Sequence, residues 1–434
     1  MNKQYAVISC PILTLSGYGK RSFDLVKALY ELKGQEWDIE VIPQRWGQTP
    51  WIDPELEEDY KWILPLINKT NQLKKQPDLW VQITVPNEFQ TVGKYNLGIT
   101  AGIETTICAP QWIEGINRMD LTLVSSEHSK KVLTESMFEE KNPQGQVIRS
   151  IKTQKPVEVL FEGLDLNKYF FIDDTKEESD LPQTELVESL DSIEEDFCFL
   201  FVGHWLHGDF GEDRKNVALT IHTFLDTFKN KKKKPALVLK TSSGGASIMD
   251  RETILEKIDQ IRKGFNIKDL PNIYLIHGEF EDSDINNLYN HSKIKAMINL
   301  TKGEGFGRPI LEFTVAKKPV IASFWSGHTD FLDTEFYLPI PGELKQLHPS
   351  SVVKDMLLPE SSWFSASVPA AKKAMEDVYS DYSKFEAMAK RQARKTNTEF
   401  SFDKMKDKLN QYLDKVPKQV QLVLPKLPTL KKIN

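Results

Sequence analysis

Short runs of β-branched and aromatic residues alternate along the chain with longer stretches whose apolar positions recur every three or four residues. The first run is YAVISCPIL at 5–13; TLSGYGK then supplies turn chemistry, and RSFDLVKALYELKG carries helical spacing to its closing glycine, Gly34. A strand, a glycine loop and a helix are predicted. WDIEVIP, DLWVQITV, LGITAG and LTLVSS follow as further strand candidates, separated by polar or helical segments. The pattern restarts near residue 197: FCFLFVGH and PALVLKTS flank the helical NVALTIHTFLDTFKNKKKK, and NIYLIHG, KAMINLT and PVIAS continue the series. Such alternation predicts an α/β protein whose parallel sheets are covered by helices on both faces. Its restart predicts two doubly wound, Rossmann-like domains with a ligand crevice beyond the carboxyl ends of their strands.

A chain of 434 residues exceeds one ordinary core, which agrees with two domains. We place a first domain at 1–172 and a second at 197–375, with helices at 376–415 returning toward the first. Residues 173–196 hold eleven acids and the single base Lys176, a local charge of −10 in a chain of net charge −6, so the remainder carries +4. With its proline and scattered apolar residues, this stretch reads as a mobile insertion or linker. The chain end has the opposite sign: from Lys404 onward eight lysines face Asp407 and Asp414, and the basic tail at 416–434 reads as solvated. Three separated cysteines, Cys10, Cys108 and Cys198, suggest neither a disulfide framework nor a zinc site, and no apolar run spans a bilayer. A cytoplasmic protein is expected, with at most a peripheral membrane contact.

The most informative stretch is GEGFGRPILE at 303–312. AMINLT precedes it as a strand; Gly303, Gly305 and Gly307 permit a tight turn and close backbone approach; Pro309 suits the first position of a helix running through PILEFTVAKK. Lys317 and Lys318 would then sit at the negative end, and Glu312 in the first turn facing the site. The free N–H groups of such a helix favour an anion such as a diphosphate. A carboxylate offers only acceptors and can take two hydrogen bonds from a vicinal diol, so Glu304 and Glu312 suit sugar hydroxyls. A nucleotide sugar combines both chemistries.

Glu304, seven intervening residues and Glu312 match an E-x7-E motif, and in this context the chain resembles the retaining GT-B glycosyltransferases, specifically glycosyltransferase family 4. The resemblance covers most of the chain: SGYGKRSFDL is similar to the N-terminal glycine loop, DLTLVSSEHSKKVL to the end of the first domain, VLFEGLDLNKY to the interdomain crossing, and VGHWLHGDFGEDRKN to the phosphate-binding segment. It implies a GT-B fold, two Rossmann-like domains facing a central cleft, and transfer of a sugar from a UDP- or GDP-sugar to an acceptor hydroxyl with retention. It further implies that Glu312 holds the ribose, that Glu304 contacts the donor sugar, and that the backbone of Gly305, Phe306 and Gly307 lines sugar and phosphate. Lys215, with Arg214 beside it, pairs with the diphosphate, where fixed cations stabilise the charge of the leaving group. The family commonly has an arginine where this chain has His204; Lys240, at the end of PALVLK, is the candidate replacement. Gly278, Glu279 and Phe280 of HGEF occupy the base-holding loop, Gly17 and Gly19 would admit phosphate or acceptor to the first domain, and Glu104 would orient the acceptor or stabilise positive charge at the reacting carbon. No cofactor and no metal is required, and DSD at 282–284 reads as a helix start.

Three other function classes compete with this one. A nicotinamide oxidoreductase would use GYGKRS, which has Ser22 in place of the third glycine of GxGxxG and leaves both glutamates unexplained; a Walker-type ATPase fails because Arg21 follows Lys20 where Ser or Thr is needed. A non-catalytic glycan- or nucleic-acid-binding module is the remaining alternative. The resemblance makes a saccharide or lipid-linked glycan the default acceptor, while the lysine-rich tail is the sole pointer to nucleic acid.

Overall fold

The computed structural model describes residues 3–47, 49–70, 72–174, 181–267 and 269–417. Strands β1 (Gln4–Cys10), β2 (Trp37–Pro43), β3 (Leu79–Ile83), β4 (Tyr95–Thr100) and β5 (Leu121–Val124) build the first domain, followed by an exposed hairpin, β6 (Met137–Lys141) and β7 (Val147–Lys152), and by β8 (Val157–Val159). The second domain holds β9 (Cys198–Val202), β10 (Ala236–Lys240), β11 (Ile273–Ile276), β12 (Ile294–Asn299), β13 (Val320–Ser323) and β14 (Leu338–Ile340), then a hairpin of β15 (Gly342–Gln346) and β16 (Ser362–Ala366). The helices are α1 (Gly17–Lys33), α2 (Pro110–Asn117), α3 (Glu127–Glu135), α4 (Glu185–Asp191), α5 (Val217–Phe228), α6 (Ile248–Lys263), α7 (Asp282–Asn290), α8 (Arg308–Thr314), α9 (Val368–Ser380), α10 (Tyr382–Glu399) and α11 (Phe402–Leu413).

Each domain carries a six-stranded sheet, ordered β2-β1-β3-β4-β5-β8 in the first and β11-β10-β9-β12-β13-β14 in the second, with every pairing parallel. Parallel strands are buried on both faces, which is why runs such as CFLFV and ALVLK are almost uninterrupted apolar sequence. The chain reverses direction across the first sheet between β1 and β3, and across the second between β9 and β12. These are the switch points at which an open α/β sheet leaves a crevice. The loops that carry the glycines at 17–19, Lys215 and Glu304 all leave strands bordering those points.

Packing explains the ends of the chain. Helices α5 and α9 cover one face of the second sheet through Phe224, Leu225, Ala371 and Met375, while α7 and α8 cover the other through Leu288, Tyr289, Ile310 and Phe313. Helix α11 returns to the first domain, where Phe402, Met405, Leu409 and Leu413 join the core beneath α1. Arg21, 1% exposed, donates to the carbonyls of Leu160 and Phe161 and touches Met405, tying α1 to the crossing segment and to α11.

Three expectations require correction. Residues 181–196 of the acidic stretch are packed: α4, capped by Thr184, buries Leu186 and Leu190 against the second domain. Three buried aliphatic side chains on one turn and a half outweigh the charge around them. Residues 175–180, with Lys176, and residues 418–434 of the basic tail lie outside the described residues. The helix after the glycine turn is also shorter than predicted, ending at Thr314 because Lys317 turns to a left-handed φ of 59°. Lys318 accordingly donates to the carbonyls of Tyr289 and His291 at the end of α7. Finally, Gly307 is the N-cap of α8, Arg308 its first residue and Pro309 its second, so Glu312 falls in the second turn.

Candidate functional site

The loop after β12 is fixed by its own hydrogen bonds. Glu304 N–H donates to Ser326 Oγ at 2.9 Å, and Gly327 N–H donates to the Glu304 carbonyl at 2.9 Å. Gly305 is required by contact: a Cβ there would lie 2.4 Å from the Ala101 carbonyl of the first domain. Gly307 is required by conformation, with φ of 97°. Phe306 turns its ring into the core beside Phe331, so its backbone alone remains for the site.

Lys215 Nζ lies 2.6 Å from Glu304 Oε1, and Arg214 Nη1 lies 3.4 Å from Glu304 Oε2. Arg214 Nη1 also reaches Glu104 Oε1 of the first domain at 3.5 Å. The four predicted catalytic residues thus form one cluster across the domain boundary. Burial would raise the Glu304 carboxyl, but Lys215 and Arg214 override it and hold the group down at about 2. Burial opposes the charge of Arg214 as well; Glu104 and Glu304 reverse that effect and raise its pKa.

Glu312, 5% exposed, accepts from Arg308 Nε at 3.0 Å, from Lys20 Nζ at 3.3 Å and from Tyr289 OH at 3.4 Å. Lys20 comes from α1 and also bonds Asp282, the first residue of α7, which in turn accepts from Tyr169 OH at 2.7 Å. The DSD stretch is a helix start, as read. Arg308 also pairs with Asp24 of the first domain. Helix α8 is seven residues long, so the positive character around the site comes from these side chains more than from its dipole.

His204 sits at the open edge, with Nδ1 3.0 Å from Ser242 Oγ. The cleft walls and the charges of Lys215, Lys240 and Arg214 lower its pKa, so at neutral pH it is uncharged. Lys240 extends over the Phe280 ring, its ammonium 5.5 Å from the centroid, and is lowered by burial despite Glu312 and Glu279 nearby. The loop after β11, expected from the sequence to hold the base, is shaped by Gly278 at φ 145° and by a pair not anticipated from the sequence, His277 Nε2 and Asp250 Oδ2 at 2.8 Å.

Gly17 and Gly19 separate in role. Gly17 is exposed with open space around it, whereas a Cβ on Gly19 would strike the Thr14 carbonyl at 1.9 Å. Only Gly17 leaves room for a ligand; Gly19 serves the turn. The sequence reading also missed Lys20, Arg308, Tyr289 and Asp330. Arg308 had a signal, since it stands four residues before Glu312 on one helix face; Asp330, which accepts from Glu127 N–H at 2.8 Å across the domain boundary, had none.

No family model and no curated protein matches this sequence. Solved structures do match in three dimensions. A glycosyltransferase from Rickettsia africae aligns over 96% of this chain and 99% of its own, with TM-score 0.62 and 14% identity. The sucrose-phosphate synthase of Thermosynechococcus elongatus aligns over 95% and 98%, with TM-score 0.61 and 13% identity. Anabaena HepE, solved in complex with UDP and glucose, aligns over 95% and 99%, with TM-score 0.56 and 11% identity.

The fold is GT-B. Within it, the cluster of Lys215, Arg214, Glu304 and Glu104 joins the two domains, and Glu312 follows on α8, held by Arg308, Lys20 and Tyr289. Among the described residues no group of three or more His, Cys, Asp or Glu side chains is arranged to hold a metal, and no helix is long and apolar enough to cross a membrane.

Proposed function

We propose that the protein is a retaining glycosyltransferase of family 4 type that moves a sugar from a nucleotide diphosphate donor to an acceptor hydroxyl. The observation that carries this reading is the pairing of a buried lysine, Lys215, and a half-buried arginine, Arg214, with one of two glutamates that flank a glycine turn at the second domain's switch point. Lys215 and Arg214 supply fixed positive charge for a diphosphate whose negative charge grows as the glycosidic bond breaks. Glu304 turns toward the donor sugar once the phosphate takes its place on Lys215, and Glu312 takes the ribose hydroxyls. Lys240, next to His204, takes the place of the arginine that the family commonly has at the end of the first strand. Glu104 stands across the cleft, where it holds Arg214 and faces the acceptor side. Transfer on a single face needs no separate base, since a departing phosphate oxygen can accept the acceptor proton; protein groups act by position and field.

The HepE complex with UDP supports a uridine donor over a guanosine one. Three buried free thiols suit a reducing compartment such as the cytoplasm. The test is acceptor-independent hydrolysis: incubation with UDP-glucose, GDP-mannose and related donors should release nucleoside diphosphate from one of them, and Glu304→Gln should abolish it. Release from none, with intact folding, rejects an enzyme and favours a binding module.

A further inference from the structure

Resting on the glycosyltransferase reading, we infer that the first domain presents an aromatic shelf, Tyr18 with Trp46 and Trp51, on which a neutral saccharide acceptor stacks. The shelf begins at the reaction centre. Tyr18 OH is 2.8 Å from Thr100 Oγ1 and accepts from Ala101 N–H at 3.1 Å, and Ala101 is the residue whose carbonyl abuts Gly305. Trp46 stacks on Tyr18 with ring centroids 4.0 Å apart and planes 26° from parallel. The segment then pairs antiparallel at Trp51 with Thr14, held by Leu15 N–H to the Pro50 carbonyl at 3.0 Å and by Ile52 N–H to the Leu13 carbonyl at 2.8 Å.

Trp51 stays 40% exposed, with the Arg45 guanidinium 5.1 Å from its ring centroid. A tryptophan fixed by backbone pairing to the loop that precedes α1 and left open is a stacking surface rather than part of a core. Sugar rings and nucleobases both stack on such a surface; charge decides between them. The residues after Trp51 run Asp53, Glu55, Glu57, Glu58 and Asp59, all exposed; Glu58 pairs with Lys61 and Asp59 with Lys168, which leaves Asp53, Glu55 and Glu57 against the guanidinium of Arg45. A nucleic acid or sugar phosphate would be repelled there. A neutral saccharide meets carboxylates as hydrogen-bond acceptors for its hydroxyls.

The test is a tryptophan-fluorescence titration of the full chain with sucrose, maltose, cellobiose and trehalose, set against glucose 6-phosphate and a single-stranded oligodeoxynucleotide. At least one neutral disaccharide should bind more tightly than either anion; Trp51→Ala should weaken it at least tenfold and Trp51→Phe should restore most of the affinity. No binding by any disaccharide, tighter binding of an anion, or a Trp51→Ala variant that binds as the parent does would overturn the shelf. Binding of UDP and of GDP, followed in parallel, reports on the donor site: absence of both defeats the glycosyltransferase reading, while the shelf stands or falls on the saccharide titration.

Discussion

Lys215 Nζ and Glu304 Oε1 meet at 2.6 Å with both side chains under a tenth exposed, and they come from the loops that leave the two strands at the second domain's switch point. Removing one partner leaves the other buried and charged, which typically costs about 3–5 kcal/mol. Lys215→Met should therefore lower the melting temperature markedly, and Lys215→Met/Glu304→Leu should recover most of the loss. Calorimetric unfolding of the parent and the two variants checks this.

The same pair sets an acid dependence. Glu304 is held at about 2 against an ordinary 4.5, so its contribution to stability is complete above 4.5 and is lost as pH falls toward 2. Glu304→Gln should be less stable than the parent at pH 7, with the difference shrinking steadily below pH 4.5. A constant gap in urea unfolding across that range would show that the carboxylate charge is not what stabilises the loop.

Asp330 behaves in the opposite sense. Burial, helped by the charge of Glu127, raises its carboxyl to about 6 even though it accepts the Glu127 N–H. Ionising such a group costs stability, a cost absent below the ordinary 3.8 and complete above about pH 6. Asp330→Asn should raise the melting temperature at pH 7.5 and make no difference near pH 4.

Under the proposed function, the neutral His204 would leave a bound diphosphate with one cation fewer than an arginine would give. His204→Arg should lower the KM for the sugar nucleotide about fivefold, the worth of roughly 1 kcal/mol from one further charge-assisted contact, with kcat little changed. A raised KM would mean that the imidazole itself serves the donor.

Much of this was legible in the sequence because parallel strands announce themselves. All ten predicted strands exist, and the glycine turn after β12 placed both glutamates. Glu304 stood out by its place in the glycine turn and Lys215 came from the family resemblance; the structure brings the two side chains together. What was not legible depends on the angle between domains: Lys20 on Glu312, Asp330 on α3 and Arg308 on Asp24 join residues more than two hundred positions apart, and no local period records them. The acidic stretch misled because charge composition masked Leu186, Val187 and Leu190, whose spacing puts them on one buried face of α4. Gly19 shows the converse ambiguity, since a turn that packs tightly and a turn that admits a ligand demand the same residue.

The most direct measurement is calorimetric titration of UDP into the parent and into Glu312→Gln. The parent should bind, and the variant should bind at least tenfold more weakly, because an amide accepts ribose hydroxyls without the charge that makes those bonds strong. Equal affinity in the two proteins would contradict the assignment of Glu312 to the ribose, and with it the placement of the nucleotide in this cleft.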